Sequence, residues 1–118
     1  MPHDILVIDD DAAVLATIAD ILRDEGYRVR TAANGKEGLA AAEQQRPTLI
    51  LLDMRMPGMD GWSVAQALRE RGLDVPLVVM TAAQDARRWA QEVGATHSLP
   101  KPFDLHELLG AVAQFAPL

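Results

Sequence analysis

Residues 48–53 read TLILLD, an unbroken apolar run that ends in one carboxylate. Successive strand side chains point to opposite faces, so Leu49, Ile50, Leu51 and Leu52 leave neither face polar. A strand of this kind must be covered on both sides, which is the position of a central strand in a parallel sheet. Residues 75–81, VPLVVMT, repeat the pattern, and DILVI at 4–8 is a shorter version of it.

Working outward, the stretches between these runs change period. In AAVLATIADILRDEG (12–26), Val14, Leu15, Ile18, Ile21 and Leu22 recur at helical spacing, and Gly26 stands where a helix stops. YRVRTA (27–32) alternates like a half-exposed strand, and GKEGLAAAEQQ (35–45) reads as helix closed by Arg46-Pro47. WSVAQALRERG (62–72) turns Val64, Ala65 and Leu68 inward, and QDARRWAQEVG (84–94) ends at a glycine. DLHELLGAVAQF (104–115) aligns Leu105, Leu108, Leu109, Val112 and Phe115 on one face. The last strand is expected to be only HSL (97–99), because Pro100 cannot donate to a ladder. Strands alternating with helices predict a parallel sheet with right-handed crossovers and helices on both faces.

The 118 residues suffice for one domain with one core, and 49% hydrophobic with 24% charged residues is a globular composition. With no cysteine there is no disulfide, thiolate metal site or cysteine nucleophile. The amino terminus, MPHDILVIDDD, turns acidic without a basic lead, and no apolar run approaches the roughly 18–20 residues that span a bilayer. The expectation is a cytoplasmic chain with no membrane contact. A net charge of −6 argues against direct nucleic-acid binding, and the pairs Arg69/Arg71 and Arg87/Arg88 are better explained as solvated helix faces.

In open α/β sheets, ligands gather beyond the carboxyl ends of the strands. The residues there are Asp9, Asp10 and Asp11 after the first strand, Asp53 after the third, Thr81 after the fourth and Lys101 after the fifth. Each has a plain explanation alone. Asp11 suits a helix N-cap, Asp53 a loop, Thr81 a β-former and Lys101 a surface cation. Together they are harder to dismiss, since two carboxylates about 4 Å apart repel by about 4 kcal/mol at an effective dielectric near 20. Such a cluster calls for a cation or a raised pKa. An all-oxygen set suits Mg²⁺, and three scattered histidines (His3, His97, His106) make zinc a poor fit. A carboxylate beside Mg²⁺, a hydroxyl and a lysine is a phosphoryl-transfer constellation, in which the carboxylate forms an acyl phosphate.

ILVIDDD, LILLDMRMPGMDG, VVMTA and LPKPF, in that order and spacing, resemble the receiver domain of two-component response regulators (the CheY-like superfamily). The resemblance covers essentially the whole chain. It implies a flavodoxin-like (βα)5 fold, doubly wound, with five parallel strands in the order 2-1-3-4-5. It also implies that Asp53 is the phosphoacceptor, that Asp10 binds Mg²⁺ directly with Asp9 assisting, and that the backbone carbonyl of Arg55 is a further ligand. Thr81 would follow the phosphoryl group and Lys101 would pair with it. The implied donor is a phosphohistidine on a sensor histidine kinase or histidine phosphotransfer protein. The implied recipient is a downstream target protein, or an output domain, reached through the surface of the fourth helix, fifth strand and fifth helix. The oligomeric expectation is a monomer or a phosphorylation-modulated dimer. Because the chain stops at QFAPL, residues 1–118 are expected to be a single receiver domain with no output domain, standing alone or excised.

Some positions depart from the family pattern. An aromatic residue usually stands three before the lysine, where this chain has Ser98, so readout through an aromatic rotamer is expected to be absent or rerouted. Trp89, at the edge of the fourth helix, is either core cover or a partly exposed partner anchor. Arg55 and Ala83 occupy positions that influence water access to the acyl phosphate, while Met54, Met56 and Met59 read as site walls and loop packing. Lys101 lies between Pro100 and Pro102, and a cis Lys101–Pro102 bond, which costs an X-Pro pair only about 0.5–1 kcal/mol, is expected to aim it. Three other readings compete. An aspartyl-phosphate phosphatase needs a second acid/base carboxylate near Asp53, where Met54 and Arg55 stand instead. A flavin-binding module is disfavoured by the acidic first turn, IDDDAAV, which would repel a flavin phosphate. A phosphorylation-independent pseudo-receiver would not require the acidic set.

Overall fold

The structure, a computed structural model, describes residues 3–118. Five strands alternate with five helices: β1 (Asp4–Ile8), α1 (Ala12–Glu25), β2 (Arg28–Ala32), α2 (Gly35–Gln44), β3 (Leu49–Asp53), α3 (Gly61–Glu70), β4 (Leu77–Ala82), α4 (Ala83–Val93), β5 (His97–Lys101) and α5 (Leu105–Phe115). All pair in parallel in the order β2-β1-β3-β4-β5, so the flavodoxin-like topology is observed.

The apolar runs are continuous because alternate residues fill two separate cores. Leu6, Ile8, Ile50, Leu52 and Val79 face α2, α3 and α4, where they meet Leu39, Val64, Leu68 and Val93. Ile5, Val7, Leu49, Leu51, Val78 and Met80 face α1 and α5, where they meet Leu15, Ile18, Leu22, Leu108 and Val112. Two close approaches hold the layers. A Cβ on Gly38 would collide with Ile8 Cδ1, so α2 sits directly on β1. A Cβ on Gly61 would lie 2.7 Å from the Met54 Cα, so α3 starts against the loop that follows Asp53.

Local signals set the helix ends. Asp11 caps α1 by accepting from the backbone N–H groups of Ala13 (2.9 Å) and Val14 (3.3 Å). Gly26 ends α1 at φ 109°, a left-handed conformation that a Cβ would strain. Asp104 and Glu107 form a reciprocal capping box at the start of α5. Asp104→Ala is therefore expected to lower stability by about 1 kcal/mol, read as a lower urea midpoint at unchanged slope.

Three expectations need correction. β5 runs to Lys101 rather than stopping at residue 99, because it is an edge strand where a proline can leave one side of the ladder open. In α5, Leu105 is 48% exposed and Ala111 is buried instead, since the helix presents Leu108, Ala111 and Val112 to the sheet. β4 also begins two residues later than expected, at Leu77, and α4 follows it without a loop.

Candidate functional site

Strand register brings the strand-end residues to one edge. Ile8 pairs with Leu52, so Asp9 and Asp53 each lie one residue beyond the same rung. Asp53 pairs with Met80, placing Thr81 one step further, and Thr81 pairs with Pro100, placing Lys101 a step beyond that. The backbone N–H of Met54 donates to Met80 O (3.2 Å) and that of Gly61 to Met54 O (3.1 Å), which fixes the loop after Asp53 to β4 and α3.

Asp9, Asp10 and Asp53 each offer a carboxylate oxygen, and these three atoms lie within 4.8 Å of one another. Asp9 and Asp53 are buried and Asp10 is exposed, so the cluster opens to solvent on one side. Lys101 Nζ reaches in from β5, 3.2 Å from Asp9 Oδ2 and 3.6 Å from Asp53 Oδ1. The Lys101–Pro102 peptide is cis. Asp9 is steadied by the Asp11 N–H (2.9 Å), and Asp53 Oδ1 accepts more loosely from the Arg55 N–H (3.4 Å). Thr81 is buried beside them, one register step beyond the Asp53–Met80 pair. Helix α4 begins at once after β4, and its cap position, Ala82, supplies no side-chain acceptor.

Burial pushes the Asp53 carboxyl up to about 6, with the neighbouring Asp9 charge acting in the same direction. Lys101 and the Arg55 N–H pull it down, and Asp10 adds a smaller upward push. One lysine thus offsets only part of the charge of three crowded carboxylates. An all-oxygen cluster with residual negative charge and one open side fits a hard divalent cation. Chemically, the edge offers a buried carboxylate with a lysine cation and a threonine hydroxyl alongside.

Other positions fall outside this cluster. Ser98 is half-buried in β5 beside Val79, away from the carboxylates in register. Met54 and Met56 are buried, as expected of site walls. Trp89 is 4% exposed, so it is core cover and presents no free ring to a partner. The reason is local: Trp62 packs edge-on against it with centroids 4.8 Å apart, and the Arg55 guanidinium lies 4.7 Å from its ring centre. Trp62 and Glu92, which complete this cluster, were missed by the sequence reading. That Trp62 and Trp89 are the only tryptophans in the chain was the available signal.

A family model described as the response regulator receiver domain matches residues 5–113. The transcriptional regulatory protein PrrA of Mycobacterium tuberculosis is 46% identical over 110 residues, covering 92% of this chain and 47% of PrrA. The chain thus spans about half the length of that relative. The sporulation initiation phosphotransferase F of Bacillus subtilis is 34% identical over 120 residues, covering 100% of this chain and 97% of the relative. Among solved structures, the chemotaxis response regulator CheY4 of Vibrio cholerae superposes with a TM-score of 0.89 at 31% identity, over 98% of this chain and 99% of that one.

Proposed function

The chain belongs to the response regulator receiver domain family, and from that premise we propose that Asp53 is its phosphoacceptor, taking a phosphoryl group from a phosphohistidine on a partner protein. The observation that carries this reading is the convergence of Asp9, Asp10, Thr81 and Lys101 on one buried carboxylate. Asp53 sits behind Asp9 and Lys101 at one sheet edge, and nothing about folding alone asks for that concentration of charge.

In the transfer, an Asp53 carboxylate oxygen forms a bond to phosphorus as the P–N bond of the donor breaks. The departing imidazole nitrogen takes a proton from solvent. Lys101, now near both Asp9 and Asp53, turns its cation to the phosphoryl oxygens. The Thr81 hydroxyl, one register step beyond the Asp53–Met80 pair, donates to one of them. Asp9, Asp10, Asp53 and the backbone carbonyl of Arg55 would hold Mg²⁺, which when bound neutralises charge on the phosphoryl oxygens.

The approach to the site supports a protein donor. A largely apolar cleft of about 580 Å³ opens beside Lys101, lined by Ala13, Val14, Thr17 and Ile18 of α1 and by Pro102 and Phe103. A helix carrying the phosphohistidine could pack there while its imidazole meets Asp53. The acyl phosphate then acts as a signal held on the domain, and passage onward to a second protein is a use the Bacillus subtilis relative's name suggests.

Incubation with acetyl phosphate and Mg²⁺ is expected to add one phosphoryl group by intact mass, lost in Asp53→Asn and on removal of the metal with EDTA. An adduct that persists in Asp53→Asn refutes the acceptor. No adduct from either acetyl phosphate or a cognate phosphohistidine protein would favour a phosphorylation-independent scaffold.

A further inference from the structure

Arg55 follows Asp53 by two residues, yet its side chain is committed elsewhere. Its guanidinium carbon lies 4.7 Å from the centre of the Trp89 ring on α4. The second cation near that ring, Arg88 at 5.9 Å, has acidic partners on its own helix, Asp85 at 3.1 Å and Glu92 at 3.9 Å. Arg55 has no carboxylate partner among the described residues, so the ring is the main attraction holding its cation. Behind Trp89, Trp62 packs edge-on at 66° and its Nε1 donates to Glu92 Oε2 (2.9 Å). One contact therefore joins the loop that follows Asp53 to α4, and a second joins α3 to α4.

Taking Asp53 as the phosphoacceptor, we propose that Arg55 is a two-position cation. It stacks on Trp89 while Asp53 is free and is drawn onto the phosphoryl group once Asp53 is modified, loosening α4. Trp89 is thus a positioning residue for Arg55, and this contact carries the signal to α4 in a chain that has Ser98 where an aromatic switch would stand.

The competition between the two positions has a clear direction. A phosphoryl group brings roughly −1.5 to −2 charge and three strong acceptors. A charge-assisted, bidentate guanidinium–phosphate pair outweighs a single cation–π contact, even at a covered ring such as Trp89. The anchor of the side chain is already at the site, because the Arg55 backbone nitrogen lies 3.4 Å from Asp53 Oδ1. By linkage, whatever draws Arg55 off Trp89 weakens the hold of the loop after Asp53 on α4 by the same coupling.

Both tryptophans of the chain lie in this cluster, so tryptophan emission reports it without background. Wild type and Trp62→Phe, which keeps Trp89 as the sole indole, would be loaded with acetyl phosphate and Mg²⁺. Adduct and emission are then read on the same samples. The expected result is an emission change that rises in step with the adduct in both proteins. Per mole of adduct, that change should be lost in Arg55→Gln and partly restored in Arg55→Lys. Trp89→Leu supplies an independent arm through hydrogen exchange of the α4 amides. Exchange should quicken on phosphorylation in wild type, but be fast beforehand and unresponsive in Trp89→Leu. Adduct with unchanged emission in wild type, an undiminished change per adduct in Arg55→Gln, or a wild-type exchange response in Trp89→Leu would each overturn the proposal. No adduct in wild type from either acetyl phosphate or a cognate phosphohistidine protein would instead bring down the Asp53 assignment, and this proposal with it.

Discussion

Asp53→Asn is expected to stabilise the metal-free protein at pH 7, by about 1–3 kcal/mol, even as it abolishes phosphorylation. The cause lies in the site, where burial and Asp9 raise the Asp53 carboxyl from 3.8 to about 6. Between those values the folded protein keeps a proton that the unfolded chain has released. Stability attached to the neutral carboxyl is therefore complete below pH 3.8, falls as pH rises through about 6, and is gone at neutrality. Asparagine cannot ionise, so its variant should lack that slope. Urea unfolding in EDTA at intervals from pH 4 to pH 8 would show the two stability curves diverging as Asp53 ionises. Curves that stay parallel would mean the carboxylate carries no such penalty. Millimolar Mg²⁺ should then stabilise wild type at pH 7 more than Asp53→Asn, because a ligand that binds only the native state adds stability by mass action.

The opposite edge of the sheet carries the other large effect. Arg30 of β2 pairs with the buried Asp4 of β1, its Nη2 2.6 Å and its Nε 3.0 Å from Asp4 Oδ2. The same guanidinium donates to Ala41 O and Gln45 O, each at 2.7 Å, and so closes the carboxyl end of α2. Arg30→Ala removes all of these contacts and leaves the Asp4 carboxylate, 7% exposed, without its counter-charge. Breaking a buried pair from one side costs about 3–5 kcal/mol. The side chain of Arg30 is 25% exposed, so the expected loss is about 2–4 kcal/mol once water screens part of the charge. Arg30→Lys should recover only a fraction, since one ammonium cannot serve a carboxylate and two carbonyls in a fork. The added change Asp4→Asn in the Arg30→Ala background should restore part of the loss. If it restores none, the cost lies in the α2 cap rather than in the stranded charge.

Neither effect can be seen by scanning for motifs alone, and the two fail to show for different reasons. Asp53 was legible as a strand-end carboxylate in TLILLD, but its raised pKa depends on how deeply β3 lies beneath Asp9 and Lys101. Arg30 and Asp4 read as ordinary polar positions on short strands. Their pairing arises from the β1–β2 register, in which Leu6 stands opposite Arg30 and Asp4 opposite Arg28. The spacing puts Trp89 at the edge of the inward face of α4, but whether a ring there is covered depends on what the next helix and the β3–α3 loop bring to it. Here they bring Trp62 and Arg55.

Local side-chain pattern alone sets the alternation of strand and helix, the two-faced burial of β1, β3 and β4, and the set of residues at their carboxyl ends. These follow from side-chain periodicity, which is written locally: a period of two for strands and of about 3.6 for helices. Pro100 misled the reading of β5 because whether a strand lies at an edge is a property of the whole sheet. The rungs on which Asp9, Asp53, Thr81 and Lys101 meet, the burial that lifts the Asp53 carboxyl, and the resting place of the Arg55 cation on Trp89 come from the assembled fold. Each depends on contacts between residues far apart in the chain, and local periodicity fixes which face a side chain takes without fixing what stands opposite it.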